Sequence, residues 1–306
     1  MSFLSILFAL LLEQARPLGQ GNPIHLGVRS WTRWVIRNLD TGKAHHAWLA
    51  WWIAVVVPAA LVFAVHWLLV WSVGWIAAAV WSIGMLYSTL GFRQFSYHFT
   101  AIRDALLAGE EEVARKELAE WMRMDVGALP RSQIVRHVIE HSVLNAHRHV
   151  FGVFAWYSLL AALGLGPAGA VLYRVAEYVA RYTNRPLRPS SAPLSDALKT
   201  SASQAWYAMD WVPARITALG FAFVGSFEEA VDSWRQREAE FPGDNNGVVL
   251  AATAGAVNVK LGDADSPGAG QTPQPVHLRA VVGLVWRTVV MWMVFLALLS
   301  LARLLG

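Results

Sequence analysis

Charged and amide side chains are scarce in this sequence, and several stand inside apolar stretches: Arg123 with Asp125, Asn145, Glu177, Asp210 with Arg215, and Asn245 with Asn246. An ionisable side chain at membrane depth is costly unless it pairs or serves a site. Carboxylates there can hold a divalent cation or move a proton, and arginines and amides can hold an anion or ligand. The densest instance is MDWVPARITALG (209–220), which holds Asp210, Pro213 and Arg215. Asp210 is expected at a helix N-cap, its carboxylate accepting backbone N–H groups, with Pro213 in the first turn, where its missing N–H does little harm. Arg215 then lies inside the helix and needs an anionic headgroup or ligand, or an acid such as Glu177.

Other constellations carry less. His137, His141, His147 and His149 crowd RHVIEHSVLNAHRHV, but the H-E-x-x-H spacing of a zinc helix is missing, so they are read as solvated or headgroup-facing. Glu110, Glu111 and Glu112 are consecutive and point around a helix start, and no metal site is expected from them. Neither G-x-x-x-x-G-K-[ST] nor G-x-S-x-G occurs, and no G-x-G-x-x-G follows a strand, which removes the usual ATPase, hydrolase and dinucleotide signatures. Cysteine is absent, and with it disulfides, thiolate nucleophiles and Cys-based metal sites. The net charge of +4 is spread over segments next to apolar runs, without nucleic-acid-binding spacing, which points to anionic headgroups and not to nucleic acid.

The elements that must position these residues are membrane elements. Hydrophobic residues make up 56% of the 306 and charged residues 15%, against about a quarter charged in a soluble domain. Trp48, Trp51, Trp52, Trp67, Trp71, Trp75 and Trp81 crowd the most apolar region, as at a lipid interface. The pattern predicts an all-α integral membrane protein. Residues 1–47 hold a short apolar segment, retained and too short to span, then a basic interfacial helix around NPIHLGVRSWTRWVIR. A transmembrane hairpin follows over 48–92, then cytoplasmic amphipathic helices over 93–149. Residues 150–262 form a membrane-embedded region whose first part, broken by GLGPAG (164–169), is read as two re-entrant half-helices; 263–276 is a linker and 277–306 a final transmembrane helix. Basic residues on both flanks of the hairpin place those flanks in the cytoplasm of a bacterial inner-membrane protein.

Several stretches together resemble the CobD/CbiB superfamily of membrane proteins. NPIHLGVRSW is similar to its N-terminal HPV-x-x-IG-x-x element, RMDVGAL to GRDT-x-x-L, VPARITAL to W-[IV]-PAR-[LI]-TAL and AGAVNVKLGD to AGAL-x-V-x-LGG, over about residues 1–262. The superfamily includes adenosylcobinamide-phosphate synthase and the AmpE branch, linked to β-lactamase induction. Against the synthase pattern AEN-x-x-DG, this chain keeps Asn145 but places Leu144 and Arg148 at the acids. Trp206 and Tyr207 replace two consecutive Asp, and Leu250 replaces a later Glu. Asp210 before Trp-Val-Pro, LLLEQARPLG and EEAVDSW resemble AmpE.

The resemblance, with these acids lost, implies a non-catalytic AmpE-like sensor or adaptor that binds an amphipathic small molecule through Arg123, Asp125, Asn145, Glu177, Asp210, Arg215 and Asn245. The alternative is a divergent adenosylcobinamide-phosphate synthase, in which Asp125, Glu177 and Asp210 take over the magnesium and proton-transfer roles and a corrinoid is bound. Expected partners are membrane lipids and a homo-oligomer or other membrane protein.

Overall fold

The computed structural model describes residues 2–16, 18–19, 22–123, 126–127, 129–185, 194–262 and 270–305. Among these the secondary structure is helical, with a single bridge between Val259 and Gln271 in place of any strand. The helices are α1 (Ser2–Ala15), α2 (Pro23–Leu39), α3 (Ala44–Ser72), α4 (Trp75–Thr89), α5 (Phe92–Ala108), α6 (Glu111–Met122), α7 (Arg131–Ala146), α8 (Gly152–Ala162), α9 (Ala168–Thr183), α10 (Asp196–Val224), α11 (Phe227–Glu240), α12 (Asn245–Val257) and α13 (Pro275–Leu305). A π-helical turn, His147–Phe151, joins α7 to α8.

Two of these helices, α3 and α13, are long and apolar enough to cross a bilayer. In α3 only 17% of the most apolar window is buried inside the protein, and in α13 39%. The core helix of a soluble protein would bury most of such a window, so the exposed Trp52, Leu61, Trp67 and Leu68 of α3 suit lipid. The second arm of the expected hairpin is shorter than the sequence pattern predicts. Helix α4 has 15 residues, about 22 Å of helix against a hydrocarbon core of about 30 Å.

The chain divides into two compact units, residues 1–91 with 152–211 and residues 92–151 with 212–306. In the first unit α2, α3, α9 and α10 share one apolar core that includes Val35, Ile36, Trp51, Val55, Val175, Val179 and Leu198. Helix α2 starts where its sequence directs: Asn22 Oδ1 accepts the Ile24 N–H at 2.9 Å, and Pro23 takes the first helical position. Arg33 and Arg37 face outward from that helix, opposite Val35 and Ile36. Asp40 accepts the backbone N–H of Ser195 at 3.0 Å, and the Ser195 hydroxyl accepts the Leu198 N–H at 3.1 Å, which caps α10. The break in the 150–180 region falls at 163–167, where α8 turns back into α9.

In the second unit α11 and α12 pack as a close antiparallel pair, with Trp234 of α11 against Val248 and Ala252 of α12 and Ala218 of α10. Helix α6 begins with Glu111 and Glu112 in its first turn, as the helix dipole favours, and its residues Ala114 and Leu118 are buried.

Two expectations are corrected. Asp210 does not cap a helix, because α10 runs unbroken from Asp196 to Val224, about 44 Å, with Asp210 in its middle and Pro213 inside it. Proline removes the N–H that would bond the carbonyl four residues back, that of Met209. The Trp156 indole N–H donates to the Met209 carbonyl at 3.0 Å instead, so a tertiary donor satisfies the group that proline strands. His147, expected at the surface, is fully buried, and its Nδ1 shares a hydrogen bond of 2.9 Å with Thr217 Oγ1. The wider π turn shifts the phase of the helix and carries that side chain inward.

Candidate functional site

In the first unit the polar residues gather along one face of α9. Tyr173 and Glu177, four residues apart, lie on the same stripe and are both buried. The Tyr173 hydroxyl donates to Asp210 Oδ1 at 2.7 Å, and its ring packs 5.1 Å from that of Trp206, one turn before Asp210 on α10. Gly152 makes room for this arrangement: a Cβ there would stand 2.2 Å from the Tyr173 ring and hydroxyl. Glu177 is held from both sides on its own helix, by Arg174 Nη1 at 3.0 Å and Arg181 Nε at 3.3 Å. The first unit thus holds a buried carboxylate with a hydroxyl donor and, on the α9 stripe of that hydroxyl, a second carboxylate neutralised by two guanidiniums.

In the second unit the focus is the start of α12. Asp244 caps it, Oδ1 accepting the Gly247 N–H at 2.9 Å, while Arg237 Nη2 binds Oδ2 at 3.0 Å. Gly247 permits this close approach, since a Cβ there would lie 2.2 Å from Asp244 Oδ2. Arg215 reaches the same turn from α10: it donates through Nη1 to Asn245 Oδ1 at 2.7 Å and through Nη2 to Glu238 of α11. Glu238 also accepts the Trp234 indole N–H at 2.9 Å. From the π turn, Arg148 donates through Nη2 to Asn246 Oδ1 at 3.0 Å. Two adjacent asparagines thus receive two arginines from two different helical segments.

The structure brings together Arg215 and Asn245, both expected at a site. Asp210, expected beside Arg215, accepts from the Tyr173 hydroxyl in the first unit, and Arg215 donates to Glu238 in the second. The acid paired with Arg215 within the second unit is Glu238, while Glu177 pairs with Arg174 and Arg181 in the first. Asn145 is half-buried near the end of α7, just before the π turn. Arg123 is exposed and closes α6 in the left-handed conformation, with φ 55° and ψ 42°. Asp125 lies outside the described residues. Sequence reasoning missed Tyr173 and Glu238 as site partners. Their helical spacing was the available signal, Tyr173 four residues before Glu177 and Glu238 four after Trp234.

Magnesium, implied by the alternative reading, needs acidic oxygens around one point. Among the described residues no three His, Asp or Glu side chains come close enough to hold a metal ion, and Glu177 is already taken by arginines. The described residues therefore offer no cluster of three protein ligands for a magnesium ion.

A family model described as CobD/Cbib protein matches residues 6–182, more than half of the chain. The chain is 29% identical over 268 residues to the cobalamin biosynthesis protein CobD of Stutzerimonas stutzeri, covering 83% of this chain and 82% of that one. It is 30% identical over 236 residues to the cobalamin biosynthesis protein CobD of Chromobacterium violaceum, covering 72% and 69%. The protein of the same name from Leptospira interrogans is 30% identical over 198 residues, covering 61% and 58%. No solved structure matches the chain. The helical architecture, the two apolar helices fit to span a bilayer and these matches together establish that the chain belongs to the CobD/CbiB protein family.

Proposed function

We propose that this protein is a membrane enzyme of cobalamin assembly that forms an amide between a corrinoid carboxyl group and an aminoalkyl phosphate, the adenosylcobinamide-phosphate synthase reaction. The observation that carries this reading is the name shared by its relatives, cobalamin biosynthesis protein CobD, the first of which aligns along more than four-fifths of both chains. The AmpE-like sensor reading rested on lost acids, and those relatives support the synthase reading over it.

Amide formation joins an amine nitrogen to a carboxyl carbon with loss of water, so the attacking ammonium must give up protons. Asp210 is the buried acid suited to that task, held in one orientation by the Tyr173 hydroxyl. Separately, in the second unit, the arginines and asparagines at the start of α12 suit an anionic ligand. The basic flanks of α3 and α4 support placing residues 93–149 on the cytoplasmic side of the inner membrane, where soluble substrates arrive.

Complementation tests the reading. In a bacterial strain lacking its own synthase and supplied with the corrinoid precursor, expression of this chain restores cobalamin-dependent growth, and Asp210→Ala abolishes the rescue. A membrane-inserted wild-type protein that gives no growth contradicts it.

A further inference from the structure

The charges around the start of α12 do not balance. Arg215 is paired with Glu238 and Arg237 with Asp244, so two of the three guanidiniums there have a carboxylate. Arg148, the third, is half-buried and donates to the neutral amide oxygen of Asn246. Among the described residues no carboxylate lies within ion-pair distance of it. Its Nε is buried and has no hydrogen-bond partner in the structure. A guanidinium withdrawn from water without a counter-ion is costly, and an orphaned N–H adds to that cost. The buried face of the turn is carried by its neighbours His147, Val150 and Phe151.

The surroundings of Arg148 supply further donors. With its Oδ1 turned to Arg148, Asn246 keeps two amide N–H groups that nothing among the described residues accepts. Asn246 also stands in the first turn of α12, where backbone N–H groups have no carbonyl of their own helix to bond. Arg148 sits on a π turn, an irregularity frequent at functional sites. Arginine is suited to phosphate because its fork of N–H groups matches two phosphate oxygens.

We propose that Arg148 and Asn246, with Arg215 and Asn245 beside them, form a subsite for the phosphate of a phosphomonoester. The missing counter-ion of Arg148 is then the ligand itself. This assignment rests on the amide-forming reading for the identity of the phosphate, that of the amine substrate, while the need for an anion rests on the geometry alone. The same chemistry would also accept the phosphate of an anionic lipid, and the test separates the two.

The experiment uses the full chain in phosphatidylcholine nanodiscs, titrated with O-phosphoethanolamine by calorimetry. The expected result is saturable binding that weakens at least tenfold in Arg148→Gln and less in Arg148→Lys, while Lys116→Gln, an exposed control on α6, binds as the wild type does. Nanodiscs carrying phosphatidic acid leave the titration unchanged if the phosphate comes from a soluble substrate. If they compete, the phosphate site stands and its source is the lipid headgroup. Where Arg148→Gln does not fold, the wild type is treated with phenylglyoxal and its arginines mapped by mass spectrometry; O-phosphoethanolamine protects Arg148. Wild-type affinity in Arg148→Gln, absence of phosphate binding, or absence of protection overturns the proposal. Phosphate binding that depends on Arg148 in a protein that rescues no synthase-deficient strain would strike the amide-forming reading alone. Rescue with unchanged phosphate affinity in Arg148→Gln would strike this subsite alone.

Discussion

Arg215 is the residue on which the second unit turns. Its side chain is 11% exposed and ties α10 to both α11 and α12 through Glu238 and Asn245. Lysine in its place carries the same charge on a single ammonium, which cannot span two acceptors in fixed directions. Arg215→Lys is expected to lower stability by about 1–2 kcal/mol, read as the loss of one well-formed charged hydrogen bond. Glu238 is 39% exposed, so water screens its share, and Glu238→Gln is expected to cost less, under about 1 kcal/mol. Unfolding in mild detergent followed by circular dichroism checks both; a wild-type midpoint for Arg215→Lys would refute this bridging role. The need of Arg215 for an anionic partner was legible in the sequence, from an arginine inside an apolar helix. The identity of that partner was not, because Glu238 lies 23 positions away and meets Arg215 only once α11 has folded back.

At the scale of elements, the clearest contrast between sequence and structure is α10. Local chemistry reads Asp-Trp-Val-Pro as a helix start, because proline is tolerated in a first turn and rarely later. The helix nevertheless passes through Pro213, and the Met209 carbonyl takes the Trp156 indole N–H instead. Such a donor, 53 positions away, leaves no local signal. By contrast α2 and α6 were readable because their caps and first-turn charges lie in their own sequence. The compensation predicts non-additivity. Trp156→Phe strands the Met209 carbonyl and is expected to cost about 1–2 kcal/mol, and less in a Pro213→Ala background, where the restored N–H reaches that carbonyl. Equal costs of Trp156→Phe in the two backgrounds, measured by denaturation, would refute the compensation.

At the scale of the whole molecule, membrane character came through the sequence most directly, since composition and apolar length alone decide whether a helix suits lipid. The absence of cysteine makes sidedness easy to test. Glu112, 89% exposed in the first turn of α6, accepts a single probe: Glu112→Cys is expected to react with a membrane-impermeant maleimide only after cells are permeabilised. Labelling of intact spheroplasts would place α6 outside and overturn the cytoplasmic assignment. Function was the least legible level. Lost acids pointed to a sensor, whereas the names of the relatives favour synthesis, because a family pattern records which acids are missing but not whether other groups do their work. The central claim is amide formation, and its most direct measurement is mass spectrometry of products. Purified protein in nanodiscs is given adenosylcobyric acid and aminopropanol phosphate, with and without ATP. The account predicts a product of the summed mass less one water, absent with Asp210→Ala; a folded, membrane-inserted wild type that yields none under either condition contradicts it.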